Sequence, residues 1–392
     1  MQAGAGYSGE GSAKVAATRA TEAALERAGV DRADLAVVFA TPNHQSEYRE
    51  LLAGVRAVSG APSPVGCTGM SVLTSDGEFE GHPGVAVLVA TSNAIRARPF
   101  LVPATSADAS SPGRTIRRLI DPLPEGPRLL VLLPDPFSVH VANLITEVEE
   151  DPAILPIVGA AASGGPGQPK SFQWCGAEIG VHAVAGLLLT GEFTLRLGVA
   201  QGCQPIGQPS RISRAEANQI IELDGRPALE CLQETVAMLP KAEIERAAHS
   251  LFAGIAHEDA HRPIHQGDLL VRNPVGIDPS SGAVAVAEQV RQGQIVQFVL
   301  RDARAARADM RRMLETLYAA TQRIRPRFGF YFNCLGRGVG LYGDPNHDIT
   351  LIREFFGDLP IVGFFGNGEL APVGGKNYVH SYTGVLAIIG EA

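Results

Sequence analysis

A polar turn near the C-terminus carries side chains suited to holding a charged ligand. In FYFNCLGRGVG, from Phe330 to Gly340, an apolar run ends in Asn333 and Cys334, and Arg337 and Gly338 follow. The planar guanidinium of an arginine can clamp a carboxylate or a phosphate through paired hydrogen bonds, and glycines let the backbone approach a ligand closely. Because ligands of α/β proteins collect beyond the carboxyl ends of strands, these residues predict a binding site.

A second polar turn places an amide and a carboxylate among apolar residues and glycines. It lies in LPIVGFFGNGELAPVGG, from Leu359 to Gly375, and its polar members are Asn367 and Glu369. We predict that Arg337 holds the carboxylate of a small anionic or zwitterionic ligand, such as an amino acid, while Glu369 and the amides take its amine. The alternative is a structural ion pair between Arg337 and either Glu369 or Asp344.

Two enzymatic alternatives use other residues. Cys334 would be a nucleophile only with a base in hydrogen-bond reach, for which His347 and His380 are candidates. The motif HEDAH, from His257 to His261, has the spacing of a zinc-dependent hydrolase when it lies on a helix. A proline two residues beyond the motif would break that helix, and no known cysteine-hydrolase signature surrounds Cys334. We therefore predict no catalytic activity and no bound metal.

Haem is a further hypothesis for the bound group. It would need an axial histidine or cysteine that opens into a large apolar pocket. The sequence does not choose among the candidate histidines, which are His44, His140, His182, His347 and His380. We therefore assign no cofactor with certainty and no cofactor-binding residue.

The elements that must position these turns are predicted by an internal repeat. A P-(x)-V-G core occurs three times, in SPVGCTG, LPIVGAAASGG and LPIVGFFGNGE, and each copy lies between two apolar runs at similar spacing. This order predicts a repeated unit of strand, helix, strand and strand, and hence an α/β fold of mixed sheets flanked by helices. The segment from Ile206 to Arg301 interrupts the pattern and predicts a β-rich insertion around one helix.

Composition limits the classes of partner. The net charge is −8, and the sequence has no lysine- and arginine-rich cluster interleaved with aromatic residues, which argues against nucleic-acid binding. The five cysteines form no C-x-x-C pair, which is typical of a reducing compartment. The N-terminus has no apolar signal core, and the apolar runs are too short to cross a membrane. We predict a cytoplasmic protein.

The motifs together resemble the FIST family (F-box and intracellular signal transduction). VGCTG, PDPFSV and LPIVGAAASGG are similar to motifs of its N-terminal domain, and QGCQPIG, ELDGRPALECL, FNCLGRG, VGFFGNGELAPVGG and VHSYTG to motifs of its C-terminal domain. The resemblance covers nearly the whole chain, in order. It implies two FIST halves, at residues 1–200 and 201–392, in a stand-alone bacterial-type member.

The resemblance also implies a function. FIST domains are sensory modules that bind small ligands, and some members bind haem and respond to nitric oxide. A chain filled by the two halves would be a stand-alone sensor in signal transduction, which passes its state to a downstream signalling protein. The ligand site that we expect in this sequence comprises Asn333, Cys334, Arg337, Gly338, Asn367 and Glu369.

Overall fold

Three copies of one repeat of strands and helices form most of the chain, which confirms the predicted α/β repeat. The structure is a computed structural model that describes residues 1–105, 110–149, 155–165, 167–257 and 266–391. The first repeat comprises β1 (Gln2–Ser8), α1 (Ala13–Ala28), β2 (Leu35–Ala40), α2 (Tyr48–Ser59), β3 (Val65–Thr68), β4 (Val72–Thr74), β5 (Gly77–Phe79) and β6 (Val85–Thr91). The second comprises β7 (Ile95–Pro103), α3 (Pro112–Ile120), β8 (Arg128–Pro134), α4 (Val141–Val148), β9 (Ile157–Ala160), β10 (Gln173–Cys175), β11 (Glu178–Gly180) and β12 (Ala183–Gly191).

The third repeat begins with β13 (Thr194–Gln201) and is then interrupted by the predicted β-rich insertion. The insertion comprises β14 (Cys203–Pro205), β15 (Ser210–Glu216), β16 (Gln219–Leu223), β17 (Arg226–Pro227), α5 (Ala228–Ala237), α6 (Lys241–Ser250), β18 (Leu251–Ala256), β19 (Leu269–Arg272), β20 (Pro274–Asp278), β21 (Ala283–Val286) and β22 (Ile295–Arg301). Its strands form one sheet, and the part of the insertion that the structure describes contains two α-helices where we predicted one. Short 3-10 helices occur at Pro42–Glu47 and Gln266–Asp268.

After the insertion the third repeat resumes. It comprises α7 (Ala303–Thr321), β23 (Arg325–Cys334), α8 (Val339–Tyr342), α9 (His347–Phe356), β24 (Ile361–Gly366), β25 (Glu369–Val373), β26 (Lys376–His380) and β27 (Thr383–Glu391). One compact unit contains residues 1–199, 310–379 and 383–392, and a second contains residues 200–309 and 380–382. The compact units therefore follow the repeats, and the division into family halves at residue 200 stays a prediction.

The three sheets of the first unit exchange a hairpin in a cycle. Each sheet holds four strands of its own repeat, in which the two central parallel strands are β2 and β3, β8 and β9, or β23 and β24. The hairpin β10–β11 of the second repeat joins the first sheet, β25–β26 of the third joins the second, and β4–β5 of the first joins the third. Each repeat thus completes a neighbour's sheet.

Alternate residues of the central strands fill a shared core. One face of each strand contributes apolar side chains to a single cluster, namely Leu35, Val37, Phe39, Leu129, Val131, Leu133, Phe328, Phe330 and Phe332. The opposite faces of β2 and β8 pack apolar side chains in two further clusters with helical residues of their own repeats. This two-sided burial explains why the strands are continuous apolar runs in the sequence.

The repeated V-G glycine is required by close packing of the parallel strands. A Cβ atom added at Gly66, Gly159 or Gly363 would lie 1.7, 2.0 or 1.6 Å from a carbonyl oxygen of the neighbouring central strand. No side chain can be accommodated there without moving the backbone. Glycine at this position is therefore a structural requirement of the repeat and does not mark a ligand site.

We expect Gly66→Ala to lower the free energy of unfolding by about 1–3 kcal/mol, because overpacking forces backbone shifts of that cost. Gly11→Ala is the matched control, since a Cβ at Gly11 would meet nothing within 4 Å. Chemical denaturation of both variants measures the effect. Equal stability of the two would contradict the packing explanation.

Candidate ligand-binding site

The structure places four of the predicted residues in one buried polar group at the end of β23. Asn333 and Cys334 are the last residues of β23, Arg337 lies in the turn that follows, and Glu369 is the first residue of β25. All four are buried. The turns meet where the backbone N–H of Leu335 donates to the carbonyl oxygen of Gly366 over 3.0 Å.

The other two predicted residues differ from this group. Gly338 is buried, and a Cβ there would lie 2.4 Å from Glu80 Oε1, so glycine permits a close approach to a protein side chain. The side chain of Asn367 is exposed, and its backbone N–H donates to the carbonyl oxygen of Ala161 over 2.8 Å. Asn367 therefore lies outside the buried polar group.

Arg337 is paired with a carboxylate, as the structural alternative proposed, but the partner is neither Glu369 nor Asp344. Its Nε donates to Asp348 Oδ2 over 3.0 Å and its Nη2 to Asp348 Oδ1 over 3.1 Å. Both side chains are fully buried. Nη2 also donates to the hydroxyl of Tyr342 over 2.7 Å. The positive charge of Arg337 is thus compensated inside the protein.

Asp348 is the centre of the hydrogen-bond network. It lies in the first turn of α9, and its carboxylate accepts from Tyr331 Oη at 2.8 Å and Asn333 Nδ2 at 3.2 Å. His347 Nδ1 lies 3.1 Å from its Oδ1. Burial alone would raise the pKa of Asp348, but the charge of Arg337 and these hydrogen bonds outweigh burial and hold the pKa well below its usual range.

Two further carboxyl groups reach the network from the hairpin β4–β5 of the first repeat and the residue after it. Glu78 is buried, and its Oε1 accepts from the backbone N–H of Ile349 over 3.2 Å. Burial, and then the nearby charge of Asp348, raises the pKa of Glu78 to about 8. Glu80 is half-buried and accepts from the backbone N–H of Val339 over 3.0 Å.

Glu369 is the fourth carboxyl group of the site. Its Oε2 accepts from Thr383, at 2.7 Å from Oγ1 and 3.3 Å from the backbone N–H. Burial raises its pKa to about 8, although the hydrogen bonds from Thr383 and the nearby Cys334 thiol oppose the rise. Both shifts favour the protonated forms of Glu78 and Glu369.

Each of these two carboxyl groups has one oxygen that lacks a partner. Glu78 Oε2 and Glu369 Oε1 are buried and accept or donate no hydrogen bond among the described residues. Leaving a buried polar group unsatisfied costs about 1–3 kcal/mol, so such groups are rare in folded proteins. Since the other oxygen of each carboxyl group accepts from the protein, the free oxygen is the one that would carry the proton in the protonated form.

The third repeat differs from the other two on the outer face of its central strand. Residues opposite the V-G glycine are Val38 in the first repeat, Leu132 in the second and Tyr331 in the third. Tyr331 donates to Asp348 where the other two make apolar contacts in their own repeats. The same scaffold thus carries an apolar layer in two repeats and a polar network in the third.

The three repeats also differ at one position of the exchanged hairpin, which is occupied by Glu369 in the third repeat. The strand registers make Val72, Gln173 and Glu369 equivalent. Of these positions, only the one in the third repeat has a carboxyl group, so a departure from the repeat coincides with the buried polar group.

Sequence reasoning missed several members of the network. They are Glu78, Glu80, Tyr331, Tyr342, His347 as a partner of Asp348, Asp348 itself, and Thr383. Tyr331 could have been found, because a strand-by-strand alignment of the repeats places it opposite two aliphatic residues. Asp348 carried a weaker signal, as an acidic residue in the first turn of a helix is an ordinary feature.

The structure shows the surroundings of two histidines named in the enzymatic alternatives, His347 and His257. His347 is stacked on Tyr342, with ring centroids 3.7 Å apart, and its Nδ1 is held by Asp348. His257 directly follows the strand β18, and its Nε2 lies 3.6 Å from Asp268 Oδ1. His261 lies outside the described residues. The zinc motif requires a helix, but the element that directly precedes His257 is a strand.

The histidines considered for haem are dispersed. His44 is buried, and burial lowers its pKa. His140 caps α4, where its Nδ1 accepts from the backbone N–H of Asn143. His182 is largely exposed, whereas His380 is buried. Haem binding and its axial residue stay predictions.

Within the described residues, no helix combines the length and the apolar character needed to cross a membrane.

Comparison with known proteins gives matches over most of the chain. Residues 34–226 match the model of the FIST N domain, and residues 228–372 match that of the FIST C domain. An uncharacterized protein of Mycobacterium tuberculosis (strain ATCC 25618 / H37Rv) is 32% identical over 388 residues, which cover 99% of each chain. An uncharacterized protein of Mycobacterium bovis is 31% identical over 388 residues, covering 99% of this chain and 98% of that one. F-box only protein 22 of Homo sapiens is 32% identical over 138 residues, or 30% of this chain and 33% of its own length.

Proposed function

This chain belongs to the FIST family, and we propose that it is a sensor that binds a small polar metabolite at the end of β23. The family is associated with signal transduction and with the sensing of small ligands. We assign a site and a ligand chemistry to this chain but no reaction. A downstream signalling protein would respond to the ligand-bound state.

The pair of unsatisfied acid oxygens is the observation that carries the proposal. Glu78 accepts from the backbone N–H of Ile349, the residue after Asp348, and the charge of Arg337 acts to lower the pKa of both Glu78 and Glu369, so both lie near the same ion pair. In its protonated form, which burial favours, each presents an O–H donor without a partner among the described residues. A ligand with a carboxylate or carbonyl oxygen would accept both hydrogen bonds and remove the cost of leaving them unsatisfied.

This arrangement changes the roles that the sequence suggested. Arg337 is engaged by Asp348 and positions the network, whereas Glu369 supplies a donor to the acidic end of the ligand. Glu80, which is half-buried, is the acceptor for an amine. An amino acid or a similar zwitterion satisfies both requirements, and the exposed Asn367 is not needed.

Glu369→Leu should abolish the thermal stabilisation that amino acids or small carboxylates give the wild-type protein, because it removes the O–H donor. Asn367→Ala is the matched control and should bind like the wild type. A thermal-shift screen followed by calorimetry measures both. Binding that is lost in Asn367→Ala and kept in Glu369→Leu would contradict the assignment of the site.

A further inference from the structure

The end of the central strand in the second repeat carries a second polar cluster, built on Asp135. Asp135 directly follows β8. The strand registers make Leu132 of the second repeat equivalent to Tyr331 of the third, so Asp135, three residues later, is equivalent to Cys334. Its carboxylate is almost fully buried. Oδ2 accepts from Ser138 Oγ and Oδ1 from Ser171 Oγ, each over 2.6 Å.

His182 connects this buried carboxylate to the surface. Its Nδ1 lies 3.3 Å from Asp135 Oδ2, while 62% of its side chain is exposed. The residue has a φ of 61°, a left-handed conformation that is uncommon for a residue with a side chain. The exposed Ser138 and the partly exposed Phe137 also lie next to the carboxylate along the chain. Exposed groups therefore lie next to the buried carboxylate of Asp135.

Gln173 supplies an independent sign of a missing partner. Its side chain is fully buried, and its Nε2 donates to Ser171 Oγ over 2.8 Å. Its Oε1 has no hydrogen-bond partner among the described residues. Gln173 occupies the position of Glu369, whose Oε1 is likewise unsatisfied. The two repeats thus leave an equivalent oxygen unpaired.

The buried atom of this cluster that has no partner among the described residues is an acceptor, Gln173 Oε1. Both serine hydroxyls donate to Asp135, and one Gln173 N–H donates to Ser171. This free oxygen belongs to the same hydrogen-bonded cluster as the Asp135 carboxylate, whose Oδ2 lies 3.3 Å from His182 Nδ1. We infer that this cluster is a second binding site, for a small ligand that carries a protonated amine. This inference does not depend on the proposed function of the third repeat.

The geometry predicts how such a ligand is held. Its ammonium group would donate to Gln173 Oε1 and to the carboxylate of Asp135, in charge-assisted hydrogen bonds that are stronger than neutral ones. Phe137, 43% exposed, and Val181, 37% exposed, flank the contact residues along the chain and offer apolar surface to the carbon skeleton. An anion would instead meet the carboxylate of Asp135, which repels it.

Methylammonium chloride is a direct probe of the site. In wild-type protein it should shift the backbone amide signals of Ser138 and Gln173 saturably in NMR spectra, whereas sodium acetate should not. Asp135→Asn and Gln173→Met should each weaken binding by about tenfold or more, since the first replaces a carboxylate oxygen with an NH2 donor and the second removes the Gln173 acceptor. Gln173→Met is close in volume to the native residue and gives a folded variant should Asp135→Asn not fold.

Two controls separate this site from the one in the third repeat. Glu369→Gln should leave the methylammonium shifts unchanged, and His182→Asn, which suits a left-handed conformation, should retain binding because both proposed acceptors of the ammonium group are kept. The inference is overturned when methylammonium gives no saturable shift, when acetate gives the same shift, or when Gln173→Met binds as well as the wild type.

Discussion

Asp348→Asn should lower the free energy of unfolding by about 3–5 kcal/mol, because it leaves the buried charge of Arg337 without its counter-charge. Arg337 and Asp348 are both fully buried, and Asp348 also accepts from Tyr331 and Asn333. The substitution keeps the shape of the side chain, so the loss reports on charge compensation rather than on packing. Chemical denaturation at neutral pH measures it.

An exposed ion pair elsewhere provides the control for Asp348→Asn. Arg311 and Glu354 are each about half exposed and 3.0 Å apart. Glu354→Gln should therefore cost less than about 1 kcal/mol. In the double variant Arg337→Met/Asp348→Asn, part of the loss should be recovered, because the unpaired charge is removed. A cost for Asp348→Asn no larger than that for Glu354→Gln would contradict the central role of the pair.

The contribution of Glu369 to the free energy of unfolding of the wild-type protein should fall as the pH rises from 4.5 to about 8. The unfolded chain loses the proton of Glu369 near the ordinary pKa of 4.5, whereas the folded protein retains it until about pH 8. Because the folded state binds more protons in this window, its free energy of unfolding declines with pH. A rise in pKa from 4.5 to about 8 corresponds to an effect on the order of 5 kcal/mol.

Glu369→Gln tests this pH dependence, since the amide has the same shape and does not titrate. The variant should lose the part of the decline that is due to Glu369, while Glu78, whose pKa is also raised to about 8, keeps its own part. Denaturation curves across the window compare the two proteins. Parallel pH profiles of wild type and variant would show that Glu369 is ionised in the folded state at neutral pH.

The repeated scaffold could be predicted because packing imposes it on the sequence. The V-G glycines at Gly66, Gly159 and Gly363 lie against a carbonyl oxygen of the neighbouring strand, so each copy of the repeat must keep them. Burial on both faces likewise makes every central strand an apolar run. These constraints act within one repeat, and each appears as a short motif along the chain.

The composition of the polar site could be predicted only in part, because residues distant in sequence meet there. Glu78 belongs to the first repeat and reaches the third through the exchanged hairpin β4–β5, a pairing that no local pattern encodes. The ion-pair partner of Arg337 is Asp348, and not Glu369 or Asp344 as expected from the sequence, for a similar reason. The direction of its side chain depends on how α9 packs beside β23, which a residue type and its spacing do not specify.

The affinity of a carboxylate-bearing ligand at about pH 6.5 and about pH 9, in wild type and in Glu369→Gln, tests the central claim most directly. If protonated Glu369 donates to the ligand, the wild type should bind at the lower pH and lose affinity at the higher one. The amide N–H of Glu369→Gln does not titrate, so the variant should lose less affinity over this interval. Affinity that rises with pH in the wild type, or that changes equally in both proteins, would contradict a ligand site at Glu369.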